Sequence, residues 1–261
     1  MAGLGTAVTI ALGVSQLAYL GAMLTLGVRL AQLARRTRQL PEVLLAAHFL
    51  LCCTLGYALQ GSGHALAIEA DAPRALVATL LSIGHGASLL GVASVLVFNY
   101  WVFRRGTRLG QGLLAVGIAW LVAGYLGCAA SGSFWQGRPE GFWFWLLYSG
   151  FTAASIWTLS EPLLYFVTLR KRLRLGLAEP LLVDRFLLWG VGSVARFAML
   201  AVGAFSMLRL SGDASDLAAI AAPTFLASGL AGIGVAVSYG LAFFPPRKYV
   251  AFVARRAQSR P

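Results

Sequence analysis

Two ionisable side chains lie deep inside apolar stretches of this 261-residue chain: Glu161 and Arg196. A charge at mid-membrane costs about 2.5–3.5 kcal/mol on the insertion scale, so such residues are functional candidates by default. The chemistry open to them is a ligand, ion or proton site, or a switch. The competing reading is a buried structural ion pair, or a Glu161 side chain reaching toward the basic turn that follows it. At a rise of about 1.5 Å per residue, Glu161 lies roughly 12 Å from that basic end and Arg196 roughly 16 Å. The depths are compatible and the two segments are joined by a short turn. Pro162 follows Glu161. It removes a backbone donor and opens the carbonyl of Thr158 toward the same space. Trp143, Trp145, Trp157 and Trp189 complete a candidate lining for a small hydrophobic or amphipathic molecule.

Histidine and cysteine offer less. His48 and Cys52 are four residues apart, one helix face, as a metal pair would be. His64 and His85 share a depth near the other end of their segments, which is a bis-histidine haem arrangement in outline. Neither pair carries an HxxxH or CxxC spacing, so the expected role is a hydrogen-bonded helix contact, with no metal and no cofactor. Cys52, Cys53 and Cys128 all lie in apolar runs, which speaks against a disulfide framework. Ser62, Ser82, Ser88, Ser155 and Ser160 read as helix contacts. No serine–histidine–acid set has a defensible geometry, so no catalytic residue is expected.

The elements that must position these residues are membrane spans. The chain is 59% hydrophobic and 11% charged, with mean hydropathy +0.77. A soluble domain carries about 25% charged residues. Seven apolar runs are long enough to cross a bilayer: 4–28, 43–63, 75–103, 109–130, 142–169, 185–208 and 217–244. The expected fold is therefore all-α, one seven-helix transmembrane bundle with a basic tail from 245 to 261. The first run lacks a positive leader and is long, so it reads as a span rather than a cleaved peptide. The net charge of +12 sits in short turns, not on one face. That pattern excludes nucleic acid as the partner and sets orientation. Seventeen of the 21 basic residues fall on one side, around Arg29–Arg38, Arg104–Arg108, Arg170–Arg185 and Arg247–Arg260. The opposite links hold Arg74, Arg138 and Arg209. The expectation is an outside N-terminus, a cytoplasmic C-terminus, and basic turns that meet a cytoplasmic protein or anionic lipid.

Two patterns bear on assembly. Residues 40–51 align with 177–188 at seven of twelve positions, five of them leucine. A parallel 3+1+3 repeat would explain this and is one way to build a transporter; leucine-rich chance is the rival. Gly232-x-x-x-Ala236-x-x-x-Gly240 and Ala123-x-x-x-Gly127-x-x-x-Ser131 are small-residue rows for close helix packing, within the bundle or in an oligomer.

The layout resembles that of microbial rhodopsins, G-protein-coupled receptors and SWEET sugar transporters. The residues depart from each. The last run holds no lysine for a retinal Schiff base. The third ends Asn99-Tyr100-Trp101-Val102-Phe103-Arg104-Arg105, not acid–Arg–aromatic, and no Pro-Gln pair appears in the first or fifth. Layout alone carries no function. The expectation is a receptor-like protein or sensor in the plasma or inner membrane, with a ligand inside the bundle. A small-solute transporter using Glu161 and Arg196 is the alternative; a membrane enzyme or haem protein stands third.

Overall fold

A computed structural model describes residues 2–67, 71–136, 141–210 and 217–258. Glu69, Arg138, Glu140 and Arg260, placed in links and tail by the sequence, lie outside the described residues, as does the Arg209 side chain. All regular structure among the described residues is helical. In order the elements are α1 (Ala2–Thr37), α2 (Leu40–Ala47), a π-helical segment (His48–Gly56), α3 (Tyr57–Ala67), α4 (Arg74–Phe103) and α5 (Arg108–Ala130). Then come α6 (Ser133–Gln136), α7 (Phe142–Arg174), α8 (Pro180–Leu210), α9 (Leu217–Phe243) and α10 (Arg247–Gln258). From α2 to α3 the helix is continuous, Leu40–Ala67.

Among the described residues, five helices are long and apolar enough to cross a membrane: Gln16–Thr37, Leu40–Ala67, Arg74–Phe103, Arg108–Ala130 and Pro180–Phe205. A sixth is reached if the bent pair Ala227–Phe243 and Arg247–Arg256 counts as one span. The sequence predicts seven. The difference lies in α9, which passes only together with α10, and in α7, whose 33 residues include Trp143, Trp145, Tyr148, Ser149, Thr152, Trp157 and Glu161. The α7 helix has the length to span but is aromatic and polar rather than aliphatic.

The helices form two compact units. One holds residues 20–154 and 207–216, the other residues 1–19, 155–206 and 217–261. In the first unit, neighbouring helices run antiparallel. Gly63 meets Leu81, Gly84 meets Gln60, Gly56 meets Ser88 and Gly91 meets Cys52, so one helix descends as the other rises. These glycines are required by close approach: a Cβ on Gly84 would stand 2.9 Å from the Gln60 amide nitrogen. Gln60 exploits the contact by donating to the Gly84 carbonyl at 3.1 Å and the Ser88 hydroxyl at 2.7 Å. Tyr125 of α5 reaches back to the Ser82 carbonyl of α4 at 3.3 Å. Farther along, Gly124 packs on Leu147, Gly127 on Trp143, and the Trp120 indole donates to the Leu146 carbonyl at 3.0 Å.

Turns follow local rules. Thr107 caps α5 by accepting from the Gly110 amide at 3.1 Å, after Gly106 at φ +79°. The end of α7 is a Schellman turn: Gly176 has φ +70°, and its amide donates to the Leu173 carbonyl while Leu177 donates to Arg172.

In the second unit the latter part of α7, α8 and α9 are again antiparallel. Leu163 and Tyr165 meet Gly190 and Phe186. Ser193 and Trp189 meet Tyr239 and Phe243. The α7–α8 turn and the end of α9 therefore share one end of this unit. Of the small-residue rows, Gly127 and Gly232 are packed, on Trp143 and Tyr19. Gly240 has nothing within 4 Å, and Ala123 and Ser131 are exposed. The packed face of α5 is instead Leu121, Gly124 and Cys128 with Gly127, an i, i+3, i+4 stripe.

Candidate functional site

Glu161 is buried at 5% exposure, next to the fully buried Pro162. The indole N–H of Trp157 donates to its Oε1 at 2.9 Å. The two are one helical turn apart, so α7 itself sets the contact. Thr158, on the same turn, is buried at 4%. Pro162 carries no amide N–H, so it does not make the usual helical bond to the Thr158 carbonyl. An acid, an indole and a proline thus sit together within one turn and a half of α7.

From α8, Ser193 is buried and shares a 3.0 Å hydrogen bond with the Tyr239 hydroxyl of α9. Arg196 lies one turn further on and is half-buried. Trp189 is in an aromatic cluster rather than an open wall. Its ring lies 5.8 Å from Phe186 and 5.6 Å from Phe243, with Tyr165 4.6 Å from Phe186. Above that cluster the Tyr249 hydroxyl of α10 donates to the Asp184 carboxylate of α8. Burial, then that bond and the negative charge of Asp184, push the Tyr249 hydroxyl up to about 12.

Of the residues singled out from sequence, Trp157, Glu161, Trp189 and Arg196 fall in this one unit. Trp143 and Trp145 belong to the other, where Trp143 packs on Gly127 and Trp145 stands 5.9 Å from Tyr148. Sequence reasoning missed Ser193, Tyr239, Asp184 and Tyr249. The signal for Tyr239 was there, a tyrosine in an otherwise small and aliphatic run; the other three lay in plain view without a partner to give them meaning.

His48, Cys52, His64 and His85 lie in the first unit. The π-helical turn changes which cysteine faces His48. With i→i+5 bonding, the residue above position 48 is 53, and Cys53 Sγ stands 3.6 Å from His48 Nε2. Cys52 turns to Gly91 instead. His48 Nδ1 contacts the Gly91 carbonyl at 2.9 Å, which is the hydrogen-bonded helix contact expected of it. The rings of His64 and His85 are 6.5 Å apart and nearly perpendicular. His85 Nδ1 bonds the Leu81 carbonyl at 2.8 Å, and Phe134 covers its ring at 5.3 Å. Among the described residues no three of His, Cys, Asp and Glu are grouped to hold a metal ion. A shallow apolar groove of about 590 Å³ lies along Tyr100, Gln111, Leu114 and Ile118.

No protein-family model, curated protein or solved structure matches this chain.

Proposed function

We propose that this multi-pass membrane protein is receptor-like: a sensor that takes a small hydrophobic or amphipathic ligand among α7, α8 and α9. The observation that carries the reading is the buried Glu161 carboxylate, held by Trp157 beside the in-helix Pro162. Intramembrane carboxylates are kept at a cost and mark functional sites. Glu161 and Trp157 supply an acceptor and an aromatic wall, Arg196 a cation, and Trp189 the apolar floor. Trp143 and Trp145 are interfacial belt residues in this reading, not lining. With α7 and α9 counted as spans, the chain crosses seven times, and the positive-inside rule then favours a cytoplasmic C-terminus.

Transport of a small solute is the second reading. In its favour, the two segments that align in sequence both lead into helices after a basic turn, at Leu40 and at Pro180, with Glu42 in the first turn of one helix and Glu179 just before the other. Reconstituted vesicles separate the two. A sensor retains its bound small molecule and moves none of it; a transporter equilibrates that molecule across the vesicle wall, and Glu161→Gln stops the movement.

A further inference from the structure

The basic C-terminal helix is not a loose tail. After Phe243 the chain passes through Pro245-Pro246 and re-enters a helix bent 78° from α9. A helix set nearly perpendicular to a span lies along the bilayer surface. α10 reads RKYVAFVARRAQ and contains no acidic residue. Its two sides differ. Tyr249, Val250 and Val253 share one face and are half-buried. Arg247, Lys248, Arg255 and Arg256 are all exposed. Phe252, at the border, is 54% exposed. An apolar face, a cationic face and an aromatic rim are the composition of an interfacial helix. It is held at a fixed place: the Tyr249 hydroxyl donates to Asp184 near the start of α8. The same end carries the exposed Arg170, Lys171, Arg172, Arg174 and Arg185.

We propose that α10 is an in-plane docking helix for an anionic lipid surface, with Arg247, Lys248, Arg255 and Arg256 as its headgroup-binding cations and the Tyr249–Asp184 bond as its anchor to α8. The occupant follows from charge and placement. The cations face outward at the end of a membrane-crossing helix, where lipid phosphates are the nearest abundant anions. Each cation near an anionic membrane adds roughly fivefold to the affinity. The docking itself rests on the chain spanning a membrane, not on the ligand reading.

Hydrogen–deuterium exchange of residues 247–256 tests it, on the full chain in nanodiscs. One set is phosphatidylcholine alone; the other is one-third phosphatidylglycerol. Exchange should slow roughly tenfold or more in the anionic discs, and the difference should shrink in high salt. The double variant R255Q/R256Q should lose most of the difference while the spans exchange as before. Tyr249→Phe should speed exchange in both lipids yet keep the lipid difference. Equal exchange in the two disc types, or a lipid difference untouched by R255Q/R256Q, overturns the proposal.

Discussion

The indole N–H of Trp157 donates to the carboxylate of Glu161 across a single turn of α7, at 2.9 Å. The bond is local, yet it serves a group that is only 5% exposed. A hydrogen bond to a charged group contributes about 1.5–3 kcal/mol. Trp157→Phe keeps a ring and removes the donor. It should destabilise the protein by about 1–3 kcal/mol. Glu161→Gln, which removes the charge as well, should cost less. Thermal unfolding in one detergent, read on both variants, checks the order.

The seam between α4 and the helix Leu40–Ala67 makes a steric prediction. A Cβ on Gly91 would stand 2.5 Å from the Cys52 amide nitrogen, a backbone atom that cannot turn away. Overpacking of this kind costs about 1–3 kcal/mol, occasionally more. Gly91→Ala should therefore lower the melting temperature. Gly61→Ala is the control: nothing lies within 4 Å of that position. There the better helix propensity should stabilise by up to about 1 kcal/mol.

Tyr249 predicts a pH dependence. Its folded-state value is raised to about 12 from the ordinary 10. A raised value means the neutral hydroxyl is the form that folding favours. Its contribution is complete below pH 10 and is lost as pH rises through about 12. Ionisation would set a phenolate against the Asp184 carboxylate. The α10 anchor should thus hold at neutral pH and release between pH 10 and 12, a step absent from Tyr249→Phe. Absorbance titration near the phenolate band, wild type minus variant, shows it.

Ser193 and Tyr239 offer a milder test. Hydrogen bonds between membrane helices average about 0.6 kcal/mol. Tyr239→Phe should cost about that much if the ring keeps its place over Gly192. A much larger loss in thermal unfolding would mean the hydroxyl holds more than Ser193.

Helix limits were legible because charge and proline mark them. The expected run 75–103 became Arg74–Phe103, and 109–130 became Arg108–Ala130. What resisted reading had three physical sources. The spacing of His48 and Cys52 assumes 3.6 residues per turn, and the π-helical segment His48–Gly56 breaks that assumption. Tyr249 and Asp184 are 65 residues apart, and no periodicity links a tail to the start of α8. α10 was hidden by Pro245-Pro246, which end one helix and equally permit the next to start; Tyr249, Val250 and Val253 at i, i+1 and i+4 were its signal. The tryptophans at 143 and 145 allow two readings from sequence. The aromatic run Phe142–Trp145 fits a membrane interface and Trp143 and Trp145 also fit a ligand wall; Trp143 packs on Gly127.

The central claim is that Glu161 belongs to a ligand site. Native mass spectrometry of the protein released gently from its own membrane tests it most directly. A discrete bound mass is expected on wild type, lost from Glu161→Gln and from Arg196→Ala while both variants remain folded. A bare protein mass, or ordinary lipids held equally by all three proteins, would contradict it and leave Glu161 a structural group.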